Sequence, residues 1–203
     1  MDEFWTEAEI AFRAKAAGVV RGLDDDDAEG LETALRDLEI SDGAALSRRV
    51  SFLDEAARRD PRLGGRALAA IASSIAVDPA ERAACLLGRL AGTAAYVFEA
   101  GTRSAKERGF FSSILMDFRE AQERLASLIS GADLARFGAC RLCRLIERGE
   151  RDRAGREAAG LLTRAAAFDA EVRSVAAFLL GPEWAGAPAP LDNAPAADER
   201  TVP

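Results

Sequence analysis

An unbroken helical pattern opens at Asp78-Pro79-Ala80-Glu81 and runs to about Arg108. Asp78 suits an N-cap, Pro79 suits the first helical position, and Glu81 can bond back to the cap residue. A helix of near 30 residues is about 45 Å long, and a rod of that length needs long partners to bury its apolar face. The chain supplies two. One pattern runs from about Phe118 to Arg148 and another from about Asp152 to Leu180, where Gly181-Pro182 stops it. These features demand an antiparallel bundle of long helices. Its first reversal falls at Gly109 to Ser113, where Gly and paired Ser break helical continuity and supply caps.

The chain before Pro79 is also helical in pattern, but in shorter pieces. Residues 3 to 21 place Phe4, Ile10 or Ala11, Phe12, Ala16 and Val19-Val20 near helical spacing, with charged residues between them. Asp24 to Asp27 are four adjacent carboxylates that suit a solvated loop and the positive N-terminal end of the next helix. Calcium binding is the sharper reading, but the spaced ligands and glycine turn it needs are missing. A short helix over residues 28 to 38 turns Leu31, Leu35 and Leu38 inward, and Ser41-Asp42-Gly43 is a turn. Residues 44 to 59 form the next helix. Asp60-Pro61 then starts another that runs to about Ala76, and its ALAAIASSIA stretch lets neighbours approach closely.

Composition agrees with helix throughout. Ala, Leu, Arg and Glu dominate the 203 residues, aromatics are 6%, and no run of alternating strands occurs. The expected fold is therefore all-α: an N-terminal helical region over residues 1–77 packed on a C-terminal bundle over 78–181. Residues 182–203 are rich in Pro and Ala without periodicity, and are expected to be disordered or to order on a partner.

Several function classes are disfavoured. Net charge is −7, a poor match to nucleic acid, whose phosphates need clustered Lys and Arg. No apolar stretch reaches about 18 residues, so no membrane span is expected, and the acidic first residues do not read as a secretory signal. Cys85, Cys140 and Cys143 are an odd count inside helical patterns, which suggests free thiols and a cytoplasmic location. Cys140-x-x-Cys143 lies mid-helix and reads as two small buried hydrophobes; zinc would need two more ligands, and the chain has no His. The lack of His excludes Ser-His and Cys-His triads, and no Walker A or Rossmann glycine pattern is present. Arg136, Arg141, Arg144, Arg148, Arg151 and Arg153 form a basic stretch broken by Glu147, Glu150 and Asp152, which reads as a solvated face with ion pairs.

The stretch Glu107 to Ala126, ERGFFSSILMDFREAQERLA, joins the first two long helices. It resembles the acyl-CoA dehydrogenase family, which carries E-R-x-Q-F-G, then F-Q-x-x-Q-x-x-L-A, between two long helices of its C-terminal domain. Glu107, Arg108, Phe111, Phe118, Gln122, Leu125 and Ala126 fall on that pattern without a gap. Glu81-Arg82 opens the preceding helix as the family's E-R-x-x-A does, and AAGLLTRAAAFDAEVRSVAAFLLG looks like the family's next helix. The resemblance covers most of Met1 to Gly181.

It implies an FAD contact across a subunit interface, with Arg108 on the pyrophosphate and Phe111 beside it. Ser112 stands where the family has Gly, and Arg119 where it has the flavin-contacting Gln. Without the family, Arg108 is a cation at a helix C-terminus that offsets the macrodipole, and Phe110 and Phe111 are packing at the turn. The family's middle β domain is missing, since Ser73 to Val77 passes almost directly to Pro79, and no catalytic base is assigned. The resemblance therefore implies a subunit inactive by itself. It would pair with a full-length acyl-CoA dehydrogenase homologue, or self-associate through the bundle, and would complete or stabilise a shared FAD site. Two alternatives remain: an FAD-dependent acyl-thioester dehydrogenase acting as a homo-oligomer, and a flavin-free helical scaffold.

Overall fold

The computed structural model describes residues 6–23, 28–40, 45–75, 78–110, 113–182 and 184. Phe4, the Asp24–Asp27 run, the Ser41–Gly43 turn, Phe111 and Ser112 lie outside the described residues. Among the described residues seven α-helices follow in order: α1 (Glu7–Arg21), α2 (Ala28–Asp37), α3 (Leu46–Arg59), α4 (Pro61–Ile75), α5 (Pro79–Glu107), α6 (Arg119–Glu147) and α7 (Arg151–Leu179). The last three are 29 residues each, so the long rods demanded by the sequence are present at nearly the expected bounds. Among the described residues no helix is long and apolar enough to cross a membrane.

Local chemistry sets the helix ends. Thr6 caps α1 in a capping box: its Oγ1 accepts from Glu9 N at 3.3 Å, and Glu9 Oε2 accepts from Thr6 N at 2.6 Å. Asp60 Oδ1 accepts from Arg62 N at 2.6 Å, and Asp78 Oδ1 from Ala80 N at 2.8 Å, so both Asp-Pro starts cap as read. The Glu81 carboxylate faces Arg151 at 3.5 Å and Arg49 at 3.8 Å, linking α5 to α7 and α3. Between α6 and α7, Gly149 takes φ +76. Its N–H donates to Ile146 O at 2.9 Å while Glu150 N–H donates to Leu145 O at 2.9 Å, a Schellman close that needs glycine's left-handed freedom.

The first reversal is not a plain turn. Strand β1 (Gly109–Phe110) pairs antiparallel with β2 (Ser113–Ile114), with Gly109 opposite Ile114 and Phe110 opposite Ser113. A 3-10 turn over Leu115–Asp117 leads into α6. With two residues a side, this ladder is a clasp rather than a layer, and the molecule is all-α.

Helix α5 is the axis, with α3, α4, α6 and α7 packed around it. Close crossing of α3 and α5 depends on two glycines one turn apart. A Cβ on Gly88 would lie 2.9 Å from Val50 O, and one on Gly92 would overlap the Asp54 carbonyl. α6 and α7 use the same device: Phe168 sits over Gly131, and Leu161 packs on Gly138. One buried cluster runs through all of this, from Ala16 and Leu31 through Phe52 and Leu90 to Leu128, Val172 and Leu179. Past α7 the chain does not leave at once. Trp184 N donates to Gly181 O at 3.2 Å, and its ring packs on Tyr96 with centroids 5.5 Å apart, so packed structure extends past residue 182.

Candidate functional site

Among the described residues polar side chains gather at a bundle end and at a cleft, and Asp169, 2% exposed, pairs with Arg173 on α7. The first is the bundle end formed by the C-terminus of α5, the clasp, the N-terminus of α6 and the C-terminus of α7. Arg108 caps α5, its N–H donating to Ser104 O at 2.9 Å. Its guanidinium reaches across to α7, where Nη1 donates to Leu179 O at 3.3 Å and lies 3.5 Å from Phe178 O. Ser104 Oγ donates to the same Leu179 carbonyl at 2.8 Å. Arg108 thus offsets a helix macrodipole, but that of α7 rather than its own helix. Arg119 is the first residue of α6; its side chain is 90% exposed, with Nε on Glu123 Oε1 at 2.6 Å. The two arginines share one end of the bundle but hold different partners. The same end exposes Ile114, Phe118 and Phe178, and Arg124 lies over the Phe178 ring at 4.8 Å.

The second place is a cleft of about 460 Å³ bordered by α1, α3, α5 and α6. Two of its lining residues, Arg13 and Arg136, converge on Asp54, which is 1% exposed. Asp54 Oδ2 accepts from Arg13 Nη2 and from Arg136 Nε, both at 2.9 Å, and Oδ1 accepts from Arg136 Nη2 at 3.1 Å. Arg13 Nη2 also donates to Glu55 at 3.0 Å, and Arg136 Nη1 lies 3.4 Å from Asp133. Burial opposes the Arg136 charge, but Asp54 outweighs it, helped by Asp133 and Glu55, and holds its pKa above the ordinary value. This forked pair joins α3 to α6, and Arg13 ties α1 to the same carboxylate. Both guanidiniums are engaged by carboxylates, so the cluster is built to hold three helices, α1, α3 and α6, in register rather than to move protons.

Sequence patterns gave no sign of this cluster. Asp54 and Arg136 are 82 positions apart, and each looks like a surface charge on its own helix. Arg136 was expected on a solvated basic face and is instead largely buried, because the outward stripe of α6 begins one third of a turn away. Arg141, Arg151 and Arg153 of that basic stretch do form surface pairs: Arg141 with Glu157, Arg151 with Asp78, and Arg153 with Glu150 and Glu157.

The thiols are buried. Burial, with Arg49 opposing and Glu81 adding, pushes Cys85 up to about 12. Burial and the Glu9 carboxylate do the same to Cys140, also to about 12. Cys143 is raised well above its usual value by burial first and its two cysteine neighbours next. Thiols in this state are small hydrophobes, not nucleophiles. Among the described residues no group of three or more Cys, Asp or Glu side chains is arranged to hold a metal ion. Comparison of the chain with protein-family models, with curated proteins and with solved structures gives no match.

Proposed function

We propose that this chain is a non-catalytic assembly subunit related to the C-terminal helical domain of acyl-CoA dehydrogenases. Its clasp end docks on a full-length, flavin-bearing homologue and completes or stabilises that protein's FAD site. The reading is supported by one observation above others: of the residues that carry the resemblance, Glu107, Arg108, Phe118 and Gln122 are exposed at one end of the bundle. Arg119 is 90% exposed, and Ile114 and Phe118 are 38% and 39% exposed. Half-exposed hydrophobes beside arginines make a surface suited to a partner with an apolar rim and an anionic group.

The donor set fits a diphosphate. Among the described residues, Arg108 Nη1 engages the α7 carbonyls at 3.3 and 3.5 Å, and the residue is exposed. Arg119 adds a second guanidinium at the same end. FAD, when bound, supplies the hydride acceptor; this chain's share is to hold charge and exclude water at the subunit boundary.

The test is a visible absorbance spectrum of the protein purified alone and after co-expression with a full-length acyl-CoA dehydrogenase homologue from the same source. Flavin bands found in the co-purified complex, and weakened by Arg108→Ala, are the expected result. Bands in the protein alone would favour a homo-oligomeric flavoenzyme. No bands and no complex would leave a flavin-free scaffold, in which Arg108 serves only the α7 terminus.

A further inference from the structure

A groove of about 850 Å³ lies between α6 and α7 and reaches Leu87 and Leu90 of α5. Leu134, Phe137, Leu161 and Phe168 line it, and Leu134 and Phe137 are 70% and 44% exposed. Its polar groups are few, and most already have partners. Ser127 Oγ donates to Arg124 O at 2.8 Å and Ser130 Oγ to Ala126 O at 3.3 Å, so both are satisfied within α6. Arg141 donates to Glu157 at 2.8 Å, and Arg153 holds the same carboxylate at 3.1 Å. Arg156 and Arg164 differ from these. Both are exposed and line the groove, and among the described residues neither makes a hydrogen bond or an ion pair. Gly160, also in the lining, stands midway between them, and a Cβ there would meet nothing within 4 Å. Helix positions four apart lie one above the other, with about 5–6 Å between their Cβ atoms. A bare patch of α7 is therefore bracketed by a guanidinium one turn before it and another one turn after it.

We infer that this groove binds a small amphipathic anion. A tetrahedral oxyanion head, a phosphate monoester or a sulfate, sits over Gly160 between Arg156 and Arg164, and its apolar body lies along the groove. The head group follows from oxygen count. A guanidinium fork takes two oxygens, so a carboxylate fills one fork, whereas a tetrahedral oxyanion presents three terminal oxygens and serves two. The body follows from the walls and the size, since small-molecule sites are mostly apolar clefts of about 300–1,000 Å³ with a few placed polar groups. Acidic neighbours do not cancel the seat. Glu157 is held by two arginines. Asp152 is one turn before Arg156, on the side away from Gly160, and no ion pair joins the two among the described residues. Glu171 is seven residues beyond Arg164, about 10 Å along the axis. A flat membrane or protein face would call for charge spread along the rim, but here the uncommitted charge is gathered within one turn of Gly160. The inference does not rest on the flavoprotein reading, because Arg108 and Arg119 stand at the clasp end and do not line this groove.

Titration calorimetry of the full chain with decyl phosphate, kept below its micelle concentration, and with naphthyl phosphate tests it. One equivalent of phosphate ligand per chain is the expected result. Tighter binding of decyl phosphate would assign the body as a lipid-like chain, and tighter binding of naphthyl phosphate as a compact ring. Decanoate and decanol should each bind at least about tenfold more weakly than decyl phosphate, since each loses charge-assisted bonds at the seat. Arg156→Gln and Arg164→Gln should each weaken phosphate binding by about tenfold or more. Their circular-dichroism melts should match the parent, because both side chains are exposed and without partners among the described residues. No binding of either phosphate, unchanged affinity in R156Q and R164Q, or decanol or decanoate binding as tightly as decyl phosphate would each overturn the inference.

Discussion

At the residue scale, Asp54 is a buried carboxylate that ties α1 and α6 to α3. It is 1% exposed and compensates two guanidiniums whose side chains are 16% and 17% exposed. Desolvating such charges is unfavourable, and the arrangement holds because the forked geometry with Arg136 returns most of that energy. Removing the carboxylate leaves two cations facing each other in a cleft. Asp54→Ala is therefore expected to destabilise the protein by roughly 3 kcal/mol, read as a shifted urea midpoint. Removing Glu99, whose pair with Arg58 is about half exposed on both sides, should cost under about 1 kcal/mol. Equal costs would mean that the Asp54 cluster is screened by water and does not hold the helices. Nothing in local sequence separates these two acids. Both sit on amphipathic helices with arginines nearby, and only the crossing of α3 and α6 decides which is buried.

At the element scale, helix existence and helix ends were legible because they rest on short-range chemistry. Asp60-Pro61, Asp78-Pro79 and Gly181-Pro182 each mark a boundary through capping or through proline's missing N–H, and each stands at or within two residues of an observed end. The clasp was not legible as β structure, since two residues a side cannot show an alternating pattern. Ile10 or Ala11 is assigned inward by spacing, yet both are exposed, because α1 turns its Ala16 and Val20 edge to the core. The role of the glycines was also hidden, since a glycine in a helix reads as a mild defect until its neighbour is known. Their contexts now predict opposite signs. Gly92→Ala would drive a methyl group into the α3 backbone and should destabilise by about 1–3 kcal/mol. Gly160→Ala meets nothing within 4 Å on exposed α7 and should stabilise by about 0.5–1 kcal/mol. Thermal melts of the two variants check the pair, and a stabilising Gly92→Ala would show that α3 and α5 are not in close contact.

At the scale of the whole molecule, composition and core divide the chain differently. Reading along the sequence sets a boundary at residue 77, where short helices give way to long ones. The packing crosses that boundary without a break: Val50 and Asp54 of α3 lie on Gly88 and Gly92 of α5, Arg49 faces Glu81, and Arg136 of α6 is held by Asp54. A bundle of α5, α6 and α7 without α3 would leave the glycine face of α5 open to water and the Arg136 guanidinium without its carboxylate. Such a fragment lacks the burial a stable fold needs, and the N-terminal helices alone lack a long partner. The two regions should therefore unfold together. With Trp5 replaced by Phe, Trp184 is the sole indole and reports on the Tyr96 contact at the α5 and α7 side. Its fluorescence and the far-ultraviolet circular dichroism of the full chain should trace one urea transition with one midpoint. An earlier loss of ellipticity with Trp184 still packed would mean that α1 to α4 melt first, and that the boundary at residue 77 is one of stability as well as of composition.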